Sequence, residues 1–169
     1  MVVIDKANIM TDFKKMFPSG AWCVDESVGY LLKRSQIKLA KAVDIVLASH
    51  DITHAQGSIV LMLHSGHYST AAELARELYI DSASITRMLD RLEKRGLIVR
   101  MPCSDDRRVI NLKLSDEGNK LADQLPNLYG AVLSRNFVDF SAEEVALLKT
   151  LLRKFLATEV PAEAGKDVK

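Results

Sequence analysis

Residues 104–118 read SDDRRVINLKLSDEG, and this stretch decides the fold. Four adjacent charges are followed by a strict alternation of apolar and polar residues, which is typical of a strand with one buried face. A short apolar run, LIVRM, lies upstream, directly after Gly96. The two runs predict a β-hairpin whose tip, MPCSDDRR, carries the charges.

The rest of the chain has the apolar spacing of helices. In a long first segment, with Asp25 as the expected N-cap, apolar residues recur every three or four positions to about Ser49. A helix beyond Ser115 should bend at Pro126. Three other helix starts have the residue pair of a capping box, in which side chains satisfy backbone amides at a helix N-terminus: Thr53 with Gln56, Thr70 with Glu73, and Ser141 with Glu144.

The composition is that of an ordinary globular chain. With 169 residues, 48% of them hydrophobic and 27% charged, it can bury one core, alone or shared with a partner. No membrane segment is expected because no run of eighteen apolar residues occurs, and a cytoplasmic location follows as the default. Cys23 and Cys103 form no CxxC pair, which disfavours a disulfide or a metal cluster. The net charge of +1 points to no partner, so a nucleic-acid surface requires local clustering of basic residues.

The helix predicted over residues 81–95 has one apolar and one polar face. Its buried stripe should consist of four residues: Ile85, Met88, Leu89 and Leu92. The other face has side chains that can contact base edges or phosphates in a major groove: Ser82, Ser84, Thr86, Arg87, Arg91 and Lys94. Pairing of Arg87 and Arg91 with Asp90 or Glu93 on the same helix is an alternative and compatible role.

Basic residues exceed acidic ones between Thr86 and Arg108. Seven lysines and arginines stand there against four carboxylates, an excess of three. The near-neutral total charge therefore hides a basic patch, which would favour phosphate contacts.

The order of these elements resembles the MarR family of transcriptional regulators. GLIVRMPCSDDRRVINLKLSDEG is similar to the family's wing, with Asp106 and Arg108 as its D-x-R and Gly118 at the end of its Ser/Thr-x-x-Gly. ELARELYIDSASITRMLDRLEKRGLI resembles its helix-turn-helix, and SVGYLLKRSQIKLAKAVD its first dimerisation helix. The resemblance extends over residues 25–157 and implies a mainly α fold with a small β-hairpin: a winged helix-turn-helix domain on an all-helical dimerisation base.

The resemblance also implies domains and partners. We expect an N-terminal arm (1–24), a discontinuous helical dimerisation region (25–50 and 115–157), a winged helix-turn-helix region (51–114) and a flexible tail (158–169). A homodimer would place two recognition helices roughly 34 Å apart on pseudo-palindromic double-stranded DNA. The expected function is a transcriptional repressor that uses no cofactor and no metal.

The wing residues Asp106, Arg107 and Arg108 complete the expected DNA contacts. Arg107 or Arg108 would enter the neighbouring minor groove, where narrow A·T stretches concentrate negative potential. Asp106 would fix the arginine fork by pairing with it. The alternative is a solvated hairpin tip with no partner.

The resemblance implies a small effector, an aromatic carboxylate, because DESVGYLLKRS is similar to members that respond to aromatic acids. Arg34 would anchor the carboxylate and Tyr30 would line the same pocket, between dimer base and winged domain. His64 and His67 would cap or line that pocket. The alternatives are a surface or interface arginine at position 34 and a packed interface aromatic at position 30.

Other sensors and other protein classes remain as alternatives. The resemblance places Gly29 where the peroxide-sensing branch of the family has its reactive cysteine, six residues after Cys23. A zinc sensor would have to use histidines that form no HExxH motif: His50, His54, His64 or His67. An enzyme is disfavoured because the chain has no G-x-S-x-G, P-loop or G-x-G-x-x-G motif. A winged-helix module that binds proteins instead of DNA is a further alternative.

Overall fold

A computed structural model describes residues 23–103 and 109–158. Within these residues the chain is mostly helical with one two-stranded antiparallel sheet, as predicted. The elements in chain order are α1 (Val28–Leu47), α2 (His54–His64), α3 (Ala71–Glu77), α4 (Ser82–Lys94), β1 (Ile98–Pro102), β2 (Ile110–Leu114), α5 (Asp116–Asn136) and α6 (Ala142–Leu156). Residues 1–22 of the predicted arm (1–24), residues 104–108 of the predicted hairpin tip (101–108) and residues 159–169 of the predicted tail (158–169) lie outside the described residues. The tip was predicted too long, because Met101 and Pro102 pair with Asn111 and Ile110 as part of β1. None of the helices described is long and apolar enough to cross a membrane.

The predicted capping boxes are all present, at the starts of α2, α3 and α6. The predicted N-cap of α1 is wrong. Val24–Glu26 form a separate 3-10 turn, closed by a hydrogen bond from the Ser27 amide to the Val24 carbonyl at 3.2 Å. Ser27 then has extended backbone angles, so α1 begins at Val28 and Asp25 lies before it.

Helix α5 continues on both sides of Pro126, and Pro126 itself is exposed. A proline inside a helix lacks the amide that would bond to the preceding turn. The helix is nevertheless not ended there. Leu121 and Leu125, on the turn before the proline, are buried and hold this part of α5 against the core.

One core joins the helix-turn-helix to parts of the two long helices. Leu47 of α1, Leu74 of α3 and Leu125 of α5 are fully buried, together with Ile59 and Val60 of α2. Only the C-terminal part of α1 contributes buried residues, Val43 and Leu47. The N-terminal half of α1 and all of α6 are therefore left outside this core.

The hairpin packs through part of its apolar alternation, because Leu112 is buried and Leu114 half-buried, whereas Ile110 is exposed. Ile98 pairs with Leu114 and Arg100 with Leu112 across the two strands. Ile98 and Leu112 are buried. The Leu112 amide also donates to the Ser69 carbonyl at 2.7 Å, which ties the hairpin to the segment before α3.

Ser115 and Gly118 join the hairpin to α5. The Ser115 hydroxyl accepts from the Gly118 amide at 3.0 Å and donates to the Gly96 carbonyl, while the Ser115 amide donates to the Leu97 carbonyl at 3.1 Å. A Cβ atom on Gly118 would overlap the Leu97 carbonyl oxygen, and both belong to backbone that these bonds hold. Glycine is therefore required at position 118, because the Leu97 carbonyl oxygen leaves no room for a side chain.

Gly118→Ala should therefore lower the free energy of unfolding by about 1–3 kcal/mol, since overpacked backbone must move. Gly130→Ala is the matched control, because Gly130 lies in the same helix and a Cβ there would meet no atom within 4 Å. Alanine is the better helix former by up to about 1 kcal/mol, so this variant should be unchanged or more stable. Urea unfolding at one fixed protein concentration measures both. Equal stability of the two variants would contradict the close-packing assignment.

Candidate nucleic-acid interface

Helices α3 and α4 form a helix-turn-helix with α4 as its second helix. The turn contains Tyr79, which has a φ of +52° and is 91% exposed, and the Ile80 amide donates to the Ala75 carbonyl at 3.0 Å. A non-glycine residue with positive φ is uncommon and marks a tight turn. The turn thus directs the N-terminus of α4 outward, with an aromatic side chain beside it.

The two faces of α4 are divided as predicted. Ile85, Leu89 and Leu92 are buried and Met88 is half-buried. The predicted contact residues occupy the other side: Ser82, Thr86, Arg87, Arg91 and Lys94 are exposed and Ser84 is partly exposed. The hydrophobic stripe fixes α4 in rotation, so these polar side chains share one outward face.

A short hydrogen-bond chain orients Arg87 at the start of α4. Asp81 is the N-cap, and its carboxylate accepts from the Ser84 amide and from the Ser84 hydroxyl, both at 2.8 Å. The Ser84 hydroxyl in turn accepts from Nη2 of Arg87 at 3.0 Å. The hydrogen bonds from Ser84 lower the pKa of Asp81 because they stabilise its carboxylate form.

The Ser84 and Thr86 hydroxyls are less available than Arg87 to donate hydrogen bonds to DNA. The Ser84 proton is donated to Asp81, and the Thr86 hydroxyl donates to the Ser82 carbonyl at 2.7 Å. One Arg87 N–H is used by Ser84, and the guanidinium has five. Arg87 is therefore better suited than the Ser84 and Thr86 hydroxyls to a bidentate contact with guanine.

The acids of α4 pair with the hairpin, not with the arginines of their own helix. Nη2 of Arg100 on β1 lies 2.7 Å from Oδ1 of Asp90, and Nη1 lies 2.8 Å from Oε2 of Glu93. Arg87 and Arg91 make no ion pair with these carboxylates, so the helical pairing considered for them does not occur. Arg100 thus neutralises the acidic side of α4 and links β1 to it.

Arg95 is also used inside the fold. At the C-cap of α4, its Nη1 donates to the His50 carbonyl at 2.8 Å and to the Asp51 carbonyl, and its Nε lies 3.5 Å from the Asp51 carboxylate. The structure describes five basic residues of the patch, and two of them, Arg95 and Arg100, are bonded to groups inside the fold. Arg91 and Lys94 make no hydrogen bond or ion pair with another described residue and remain for an external anion. The predicted wing contacts Asp106, Arg107 and Arg108 lie outside those residues.

The four predicted effector residues do not come together in one cavity. The Arg34 guanidinium lies 5.7 Å from the centre of the Tyr30 ring, and Arg34 is exposed. His64 lines a separate cavity of about 370 Å³ between α2, β2 and α5, with Nε2 3.7 Å from Asp123, whereas His67 is exposed and does not line it.

Two other cavities are lined by described residues. One of about 670 Å³ lies between the ends of α1 and α4 and is lined by both acidic and basic side chains, among them Asp51, Arg91 and Lys94. The other, of about 380 Å³, lies between α1, α5 and α6 and is mostly apolar, with Leu39 and Phe137 among its lining residues. Neither Tyr30 nor Arg34 lines any of the three.

The described cysteines and histidines bear on the zinc and redox alternatives. No group of three His, Cys, Asp or Glu side chains is placed there to hold a metal ion. Neither Cys23 nor Cys103 is in a disulfide. The Cys23 thiol donates to Asp25 at 2.9 Å, and this hydrogen bond raises the pKa of Cys23, which disfavours the reactive thiolate.

Comparison with known proteins agrees with this geometry. Residues 52–110, from the end of the α1–α2 link to the start of β2, match the model of the MarR family. The multiple antibiotic resistance protein MarR of Escherichia coli is 32% identical over 130 residues, which cover 76% of this chain and 90% of that protein. The chain belongs to the MarR family. It is a DNA-binding transcriptional regulator, and members of this family are not enzymes.

Two further comparisons support membership of the MarR family. The organic hydroperoxide resistance transcriptional regulator of Bacillus subtilis is 28% identical over 135 residues, covering 80% of this chain and 90% of that protein. A crystal structure of an E. coli MarR variant complexed with operator DNA superposes with a TM-score of 0.70 at 29% identity, covering 85% of this chain and 97% of that one.

The roles of Arg95 and Arg100 could not be predicted from the sequence. Both were counted in the basic patch, because a charge count treats every arginine alike. Their partners are 44–45 and 7–10 residues away, on other elements, so helical spacing gives no signal for them. The positive φ of Tyr79 was also not predicted. The residue at this turn is not a glycine, so the sequence carries no clear signal for that backbone conformation.

Arg87→Ala should weaken binding to the preferred DNA site by about 1–3 kcal/mol and relax the preference at one symmetric base position, because the bidentate fork is lost. Arg135→Ala removes another exposed arginine, from α5, and should leave DNA affinity unchanged. Fluorescence anisotropy on the preferred site and on its single-base variants measures both effects. Uniform weakening on every sequence would instead assign Arg87 to a phosphate.

Proposed function

We propose that this MarR-family regulator acts as a homodimeric repressor that an aromatic carboxylate releases from pseudo-palindromic DNA. The main support for a dimer is that none of the 15 residues of α6 is buried. A helix with an apolar stripe gains its stability by burying that stripe. The expected dimerisation region, residues 25–50 and 115–157, contains this helix.

Exposed apolar residues occur on both α6 and α1. On α6, Leu147, Leu151 and Phe155 are 58%, 54% and 62% exposed. On α1, Val28 and Leu31 are about half exposed, at 51% and 49%. Leu147, Leu151 and Phe155 follow one another at a spacing of four residues, so they lie on one face of α6. A soluble protein rarely leaves such an apolar face in water, which supports burial against a second copy.

Dimerisation and DNA reading are linked by symmetry. A two-fold dimer presents two copies of α4, and each would enter the major groove of one half-site. The outward cations Arg87, Arg91 and Lys94 would contact bases and phosphates, and Arg107 and Arg108 would reach the minor groove. The repressor role follows from the family resemblance, because a homodimer bound over a promoter would block polymerase access.

Leu151→Glu should raise the dimer dissociation constant at least 100-fold, because a symmetric interface contains the lost apolar contact and the buried charge twice. Thr150→Glu introduces the same charge at the adjacent exposed position, away from the apolar stripe, and should leave the dimer intact. Sedimentation velocity over a concentration series measures both. A Leu151→Glu protein that stays dimeric would show that α6 is not the dimer interface.

Tyr30 and Arg34 support the effector proposal by their arrangement. The guanidinium lies over the phenol ring, one helical turn away on α1, so the ring restricts the fork and can also stack on an aromatic ligand. Arg34 is exposed and forms no ion pair with any described carboxylate, so its donors are open to an anion. Binding at α1 would change the spacing of the two heads and release the DNA.

Arg34→Lys should keep the charge but lose the planar fork, so effector affinity should fall at least tenfold while DNA affinity without effector is unchanged. Benzoate-like and cinnamate-like acids, with their amides as neutral controls, are titrated against the protein–DNA complex, and DNA release is measured. An equal response to acid and amide would contradict carboxylate recognition. Loss of dimerisation or of DNA binding in Arg34→Lys without effector would assign Arg34 to the interface.

Two alternatives are separated by simple measurements. A redox sensor is disfavoured at Cys23 by the raised pKa of its thiol, and a Cys23→Ser protein should respond to effector as the wild type does. For a module that binds proteins, DNA affinity should be nearly independent of salt, whereas neutralisation of phosphates gives a steep linear fall of log K with log salt.

A further inference from the structure

Arg95 connects the recognition helix α4 to the end of the dimerisation helix α1. It is the C-cap residue of α4, and its guanidinium reaches the link between α1 and α2. One nitrogen, Nη1, donates to two successive carbonyls, those of His50 (2.8 Å) and Asp51, and Nε faces the Asp51 carboxylate at 3.5 Å. The two helix ends are thus held by one side chain.

The link itself needs such a contact. The carbonyls at the C-terminus of a helix have no partner inside it, and a positive charge there is favourable. The 3-10 turn Ala48–His50 follows α1 directly, and Asp51 closes it with a φ of +52°. Arg95 satisfies carbonyls at this end and places its charge beside them.

The other side of the link is fixed to α2. Oδ1 of Asp44 on α1 accepts from the His54 amide at 2.6 Å, and Thr53 with Gln56 closes the capping box. Gln56 is buried. Because the link is held on both sides, a rotation of α1 cannot be absorbed in it without breaking a contact to Arg95 or to Asp44.

We infer that Arg95 is a positioning residue that transmits the orientation of α1 to the recognition helix, and that it sets the pose of Arg87 and Arg91 on DNA without contacting DNA itself. This rests on the proposed function, in which α4 reads the DNA and α1 belongs to the dimer base. The neighbouring residue Lys94 gives the contrast: it is exposed, and no polar partner for it occurs in the described residues.

Removal of the charge of Arg95 and removal of the charge of Lys94 should therefore weaken DNA binding in different ways. Loss of a phosphate contact weakens binding to every sequence and lowers the salt slope of log K by about 0.9 for each contact, or twice that for a dimer. Loss of positioning weakens binding only where bases are read, as a mismatch does, and leaves the slope unchanged. Simple destabilisation lowers the active fraction and reduces specific and non-specific binding by the same factor.

The test compares Arg95→Gln, Arg95→Lys and Lys94→Gln with the wild type. The probes are the genomic fragment that the wild-type protein retains most tightly and a random duplex of equal length, each titrated at several salt concentrations. Arg95→Gln should lose about tenfold or more on the genomic fragment, with random-duplex affinity and salt slope unchanged. Arg95→Lys should not restore it, since an ammonium lacks the fork that spans two carbonyls and a carboxylate. Lys94→Gln should weaken both duplexes and lower the slope.

Three results would overturn the inference: Arg95→Gln behaves like Lys94→Gln, binds like the wild type, or loses both duplexes by one factor. If circular dichroism shows that Arg95→Gln is unfolded, Asp51→Asn replaces it, because it removes the negative charge that faces Arg95 and keeps the backbone carbonyls. The same specific loss, smaller in size, is then expected, and wild-type behaviour would contradict the inference. A wild-type protein that does not distinguish the genomic fragment from the random duplex would instead refute the proposed function.

Discussion

The burial of one stripe of α4 is the constraint on which the rest of the structure depends. Ile85, Leu89 and Leu92 are almost completely removed from water, and each would cost about 1.5–3 kcal/mol to expose. They fix the rotation of the helix about its axis. Every side chain that can reach DNA from α4 has its direction set by this packing, so the interface is a consequence of the core.

The charges around α4 are divided between internal and external use. Arg100 pairs with the two acids of the helix, and Arg95 holds the carbonyls of the α1–α2 link. These contacts remove negative charge from the outer face and leave Arg87, Arg91 and Lys94 for an external anion. A protein with a net charge of +1 can therefore present a cationic surface, because the arrangement of the charges decides the local potential.

Local patterns predicted the elements well. The three capping boxes and the stripe of α4 each depend on residues within one element, and the structure confirms them. The alternation in β2 is confirmed in part, since Leu112 is buried but Ile110 is exposed. The start of α1 was predicted wrongly, because an acidic residue before an apolar run also fits the 3-10 turn that forms there. The partners of Arg95 and Arg100 lie on other elements, so no local pattern reports them. Of the four predicted effector residues, the structure places only Tyr30 and Arg34 beside each other. Their function in effector binding remains a prediction.

The central claim is that two copies of α4, held by one symmetric dimer, read two half-sites on the same face of the DNA. Hydroxyl-radical footprinting on the genomic fragment retained by the purified protein tests it most directly. The account predicts two protected stretches related by a dyad, with centres roughly 10 base pairs apart. A single protected stretch without dyad symmetry, at a protein concentration that saturates the fragment, would contradict it.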